Sequence, residues 1–278
     1  MSGIFSAPND DLYILDSAAY VRVVRAATGN ISLIASAAVA STSLPVAPGI
    51  PATAFTLTAP RGTTTDRRNG DIYIADAGGN AVFIFRNSAM YGTRVFLFAG
   101  TGVACTAILG PGAVCGDGGS AATARLTFPY GVSVNAAGDV AIADQNTNRV
   151  RVVTGPTGVI NTVLGTGSKS YGATGVPADG VLGTSSVISI PQGLAYDPAS
   201  GDLFVSDPVA CVIRRVILSG GAQAGFVFNV AGVAGSCGSS AAPTPPLAAR
   251  IGPSYFLAFR PSDGALLFSD GTYSVVCE

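Results

Sequence analysis

The sequence predicts an all-β propeller, and three observations carry that expectation. Five short apolar strands each close with an aspartate: LYILD (12–16), IYIAD (72–76), VAIAD (140–144), LFVSD (203–207) and LLFSD (266–270). Those residues, Asp16, Asp76, Asp144, Asp207 and Asp270, stand 60, 68, 63 and 63 positions apart. Strand-rich repeats of this length that end on the same acid point to propeller blades or arrays. The 36 Gly and 17 Pro punctuate the chain as short strands and turns require.

Each unit reads as four strands in order. An alternating apolar strand leads into a turn, as in GVSVNAAGD (131–139), GLAYDPASGD (193–202) and FLAFRPSDG (256–264). The strand ending in Asp follows. After a short polar turn comes a third strand: VRVV (21–24), VFIF (82–85), VRVV (150–153), VIRRV (212–216) and SVVC (274–277). A fourth closes the unit: ISLIAS (31–36), VFLFAG (95–100), INTVLG (160–165) and FVFNVAG (226–232). Period-2 alternation with β-branched residues supports strands throughout. The expected organisation is one propeller segment, with blades at 1–36, 60–100, 129–166, 191–232 and 253–278. Links of about 25 residues, rich in Gly, Ala, Pro and Ser, join them and are expected to emerge on one face.

Composition narrows the function classes. Of 278 residues 48% are apolar and 11% charged, so core material is plentiful and charge-driven disorder is excluded. A net charge of −1 offers no basic field for nucleic acid. No apolar run reaches the roughly 18 residues of a membrane helix. The absence of histidine removes imidazole metal ligands, a Ser-His-Asp triad and a histidine general base. The N-terminal MSGIFSAPNDDLYILD lacks the form of a signal peptide and falls inside a repeat unit, which suggests an internal segment of a longer protein.

The stretch GDGGSAATARLTFPYGVSVNAAGDVAIADQNTNRVRVV (116–153) resembles the NHL-repeat family of β-propellers. That pattern has a Gly-Asp-Gly-Gly loop, an Ala-rich segment, Leu-x-x-Pro-x-Gly, a strand, and an Ala-Asp-x-x-Asn-x-Arg-apolar-Arg run. Asp144, Asn148, Arg149 and Arg151 occupy its last positions, while blade 4 keeps Asp207, Arg214 and Arg215 but has Cys211 where Asn148 stands. The strands count to four full four-stranded blades and a partial fifth, and the resemblance implies an NHL-type propeller in which they belong to a larger, six-bladed ring, a five-bladed or partner-completed propeller being the alternative. The resemblance implies no particular activity, because the family hosts binding, scaffolding and enzymatic members.

Candidate site residues fall into four groups. The strand-end aspartates, with Arg149, Arg151 and Arg214 as partners from strand three, read as blade-stabilising, since a scaffold repeats the same contact at every blade. Asp117 in GDGG reads as a turn. No catalytic residue and no cofactor is assigned; calcium on channel carboxylates is the alternative, although near the inner strands only Asp66 and Asp197 follow strand ends. Cys105 and Cys115 lie ten positions apart in one link, and Cys211 and Cys237 should emerge on one face of blade 4, so both pairs are expected to form disulfides in an oxidising compartment. Cys277 is left unpaired or intermolecular. Asn30-Ile31-Ser32 is the only N-glycosylation sequon.

The sequence thus suggests a non-enzymatic extracellular or cell-surface module, contacting a protein partner or a copy of itself through propeller-face loops. The alternatives are a calcium-dependent lactonase- or esterase-like hydrolase and a carbohydrate-binding module using Tyr20, Tyr130 and Tyr255.

Overall fold

The structure, a computed structural model, describes residues 3–6, 9–15, 20–35, 49–88, 92–106, 115–169, 176–238, 240, 244–271 and 275–277, with backbone alone at 3–6, 87–88 and 275–277. Asp16 lies outside these residues, as do the termini Met1 and Glu278.

Five antiparallel sheets follow one another along the chain. The first holds β1 (Gly3–Ser6), β2 (Leu12–Leu15), β3 (Val21–Val24) and β4 (Ile31–Ala35) in sequential order. In the second, β6 (Pro60–Thr65), β7 (Ile72–Asp76), β8 (Ala81–Ser88) and β9 (Gly92–Ala99) repeat that order. An extra strand, β5 (Ile50–Pro51), pairs with the outside of β9. The third consists of β10 (Pro129–Val134), β11 (Val140–Asp144), β12 (Arg149–Val153) and β13 (Ile160–Leu164). The fourth has β15 (Leu194–Tyr196), β16 (Leu203–Asp207), β17 (Val212–Val216) and β18 (Phe226–Ala231), with β14 (Val181–Leu182) outside β18. The fifth contains β19 (Leu257–Phe259), β20 (Leu266–Asp270) and β21 (Val275–Cys277).

Two sheets therefore have five strands rather than the four expected. The end of each preceding link turns back along the outer strand of its own blade instead of projecting wholly as a loop. In blade 3 the same segment contributes an isolated bridge, Ser120 to Val159. A one-turn 3-10 segment follows each time: Ala52–Ala54, Ala121–Thr123 and Gly183–Ser185. Covering an otherwise open edge satisfies backbone groups that would template aggregation.

Alternation along the second strands explains how the sheets stack. Ile72 and Ile74 pack toward blade 1 with Leu15, whereas Tyr73 and Ala75 pack toward blade 3 with Val132 and Ile142. One blade later Ala141 and Ala143 pack with Leu194 and Val205 of blade 4. Every residue of β7 and β11 is buried, because each sheet is covered on both faces. The first strands stand side by side, and two glycines are needed there. A Cβ at Gly62 or Gly131 would collide with the carbonyl of Tyr130 or Gln192 in the next blade.

Candidate functional site

One end of the sheets carries the starts of the first strands, the turns between second and third strands, and the cysteine-bearing links. Its geometry is built around a corner, the Leu-x-x-Pro-x-Gly segment, repeated from blade to blade. The corner's first apolar residue is buried in four blades, as Leu57, Leu126, Ile188 and Ile251.

The strand-end carboxylate folds back onto this corner. Asp76 accepts hydrogen bonds from the N–H groups of Thr58 (2.8 Å) and Ala59 (2.6 Å). Asp144 accepts from Thr127 N–H at 2.7 Å, and Asp270 from Gly252 N–H at 2.7 Å. In blade 4 Asp207 accepts from Ala210 N–H, in its own turn, at 3.2 Å. All four are buried. Burial pushes the Asp144 carboxyl up to about 6, against the opposing pull of Thr127 N–H and the Arg151 charge. It likewise raises Asp76, against four backbone N–H groups.

A second clasp joins neighbouring blades. Asn80 Oδ1 accepts from Phe128 N–H of blade 3 at 3.0 Å, and Asn148 Oδ1 from Ile190 N–H of blade 4 at 3.2 Å. Both asparagines are left-handed, with φ of 47° and 52°, a conformation that Asn tolerates better than most residues. Cys211 takes the same position with φ of 54°. The residue it would clasp in blade 5 is Pro253, one place after Gly252, and proline has no N–H. A disulfide to Cys237, with Cα atoms 5.2 Å apart, ties blade 4 to the link ahead of blade 5 instead.

The other disulfide joins Cys105 to Cys115 (Cα–Cα 5.9 Å). Cys105 is docked on the corner, where its N–H donates to Thr127 Oγ1 at 2.9 Å. The Cys115 carbonyl accepts from Arg151 at 3.3 Å. Both bridges therefore fasten links at the corner end of the sheets. The side chain of Cys277 lies outside the described residues.

The arginines also take partners that the sequence reading did not anticipate. Arg151 is fully buried and pairs both with Asp117 of the GDGG turn and, at 3.8 Å, with the strand-end Asp144. Asp117 also accepts from Thr162 N–H (3.0 Å) and Thr162 Oγ1 (2.6 Å), so this turn locks the link onto β12 and β13. Arg149 donates to the carbonyls of Thr147 and Thr166. Arg214 donates to the carbonyls of Val187 and Ala178 and to Asn229 Oδ1. Asp117, Thr147, Arg149, Arg151 and Thr162 pack around Asp144 without a void that would admit a water molecule.

At the opposite end a further series of aspartates opens the second strands. Asp11 pairs with Arg25 (2.6 Å), Asp71 with Arg86 (2.9 Å) and Asp202 with Arg215 (2.5 Å), while Asp139 accepts from Gly155 N–H (2.9 Å). The signal was present in NDDLYI, NGDIYI, AGDVAI and SGDLFV, one residue before each strand. Asp66 is bound by Arg68, and Asp197 by Ala199 and Ser200 of its own turn. Among the described residues, no group of three or more metal-ligating acids or cysteines is gathered. Asn30 sits on an exposed turn between β3 and β4. Of the candidate tyrosines, Tyr20 lies under Arg22 (5.4 Å) and Tyr130 under Arg61 (5.8 Å), and Tyr255 is exposed.

Comparison with known proteins places this architecture. A profile of the Teneurin NHL domain matches residues 64–244. Teneurin-3 of Danio rerio is 32% identical over 149 residues, and Teneurin-4 of Homo sapiens 31% over 147, each covering 51% of this chain. The chain spans about a twentieth of the length of these relatives, 5% in each case. Among solved structures, a Bacteroides thetaiotaomicron protein of unknown function superposes with a TM-score of 0.62 at 15% identity, covering 96% of this chain and 55% of that one. A chain from a nidogen/laminin complex gives 0.58 at 13%, covering 96% and 70%. A gluconolactonase-type protein gives 0.55 at 14%, covering 97% and 71%. At these identities the structural likeness establishes the fold: an NHL-type β-propeller.

Proposed function

The chain belongs to the Teneurin NHL domain family, and from that premise we propose that it is an extracellular recognition module that binds a protein partner, or another copy of itself, through the corner end of its blades. The observation that carries this reading is the placement of both disulfides. Each fastens a link at the end of the sheets where the corners and the strand two–three turns emerge. Links braced in this way present a surface whose ordering cost is met before a partner arrives, which favours affinity. Disulfides persist in oxidising compartments, in keeping with an extracellular or cell-surface location. The related fold in a nidogen/laminin complex gives a precedent for protein recognition. On this reading the strand-end aspartates and Arg149, Arg151 and Arg214 serve the scaffold, and Asn30 is open to glycosylation in a secretory pathway.

The test is a bead assay. Beads carrying the oxidised chain are expected to cluster with one another or to bind cells that display the partner, and beads carrying the reduced, alkylated chain to do neither. Failure of the oxidised beads in both formats would overturn the proposal.

A further inference from the structure

Successive first strands bring equivalent residues to the corner end of neighbouring blades. Arg61, Tyr130, Gln192 and Tyr255 each precede the position held by Gly62, Gly131, Gly193 and Phe256. The register fixes this equivalence, since Pro60 pairs with Asp76 and Pro129 with Asp144. Likewise Ser206 N–H donates to the Gly193 carbonyl as Ser269 N–H does to that of Phe256.

Arg61 differs from the arginines that a carboxylate holds in place. Arg25, Arg68, Arg86, Arg151, Arg215 and Arg260 each have a carboxylate. Arg61 has none among the described residues, and its Nε is shielded from solvent with no hydrogen-bond acceptor. Its guanidinium lies 5.6 Å from the Phe128 ring centroid and 5.8 Å from that of Tyr130. Asp76 and Asp144, paired in register with Pro60 and Pro129, are buried and turned into their corners. Aromatic faces strip water from a guanidinium and hold its plane, and with Nε shielded the Nη1/Nη2 edge is the one left for a planar two-oxygen acceptor.

We infer that Arg61, walled by Phe128 and Tyr130, is the seat for a carboxylate presented by an Asp or Glu side chain of the protein partner. This rests on the recognition reading above and names the chemistry of the contact. Arg and Tyr dominate the energetics of protein interfaces because one fork or ring, desolvated in a single place, carries most of the binding. A carboxylate accepts from Nη1 and Nη2 of Arg61 together, and the peptide backbone beside it lies against the two rings.

The experiment titrates the intact chain with N-acetyl-aspartate N-methylamide and follows the Arg61 Nε–H resonance by NMR. The expected result is a saturable shift that the asparagine analogue fails to produce or produces about tenfold more weakly. It should vanish in R61Q and weaken in R61K, which keeps the charge but loses the planar fork. Acetate should bind several-fold more weakly, having no backbone to lay on the rings. Absence of a shift, equal shifts from the asparagine analogue, or a shift of another resonance that persists in R61Q overturns the seat. Equal binding of acetate overturns the peptide source. None of these arms uses a protein partner, so failure here is distinguishable from failure of the bead assay.

Discussion

Asn148 in blade 3 reaches across to blade 4, where its Oδ1 accepts the N–H of Ile190 at 3.2 Å. Ile190 is itself held at φ 56°, an uncommon conformation for a β-branched residue. The clasp therefore over-determines a strained corner, and the same arrangement joins Asn80 to Phe128 one blade earlier.

Replacing Asn148 with Gly keeps the left-handed backbone accessible and removes only the side-chain acceptor. A loss of about 1–3 kcal/mol is expected, the cost of leaving a shielded N–H unpaired. Asn148→Ala adds the steric cost at φ 52° and should fall below the glycine variant. Urea unfolding of the two variants measures both differences.

The disulfide of Cys211 to Cys237 stands where the asparagine clasp has no donor, because blade 5 offers Pro253. Loss of the bridge should cost about 3 kcal/mol by the chain-entropy account. Restoring asparagine should then bring no rescue. Cys211→Asn with Cys237→Ser is expected to match Cys211→Ser with Cys237→Ser to within about 0.5 kcal/mol in denaturant unfolding.

Arg151 and Asp117 form an ion pair with the arginine fully buried. Asp117→Asn leaves that charge with Asp144 alone, 3.8 Å away, and should destabilise by up to about 3–5 kcal/mol. Arg151→Met removes the charge itself and should cost less. A double-mutant cycle by thermal or urea unfolding reads the coupling.

Asp144 makes stability depend on pH in a defined direction. Its carboxyl is raised from 3.8 to about 6 in the folded chain, so between those values the native state holds more protons than the unfolded one. The stability this group contributes is complete below about pH 4 and is lost as pH rises through 6, up to about 3 kcal/mol. Asp202 acts in the opposite sense. Although burial pushes it up, Ser219 N–H, Arg215 and its other donors hold it below the usual range, so its contribution is lost as pH falls. The difference in unfolding free energy between the wild type and Asp144→Asn, measured from pH 4 to 7, isolates the first effect.

The strand-end aspartates were legible because a period of about 63 residues, with period-2 strands around it, survives degeneration of the rest. The resemblance to NHL repeats was legible for the same reason, blade 3 being the best preserved copy. The Asp117 partner of Arg151 was not. Asp117 lies 34 positions upstream, in a link, and only the folding of that link onto β13 brings it near. Strands β5 and β14 were missed because two residues among Gly, Ala and Pro carry no alternation to read. The second aspartate series was readable in GD and DD dipeptides but was overshadowed by the stronger strand-end signal. Loop position alone suggested the two cysteine pairs, whereas the reason for Cys211 emerged only when Pro253 was seen to occupy the clasped position.

Peptide mapping of the chain secreted into oxidising medium and digested without reduction tests the central claim most directly. The account predicts Cys105 linked to Cys115 and Cys211 linked to Cys237, with Cys277 as a free thiol or a bridge between chains. Five titratable thiols in the denatured, unreduced protein would contradict it, as would a link between the two pairs.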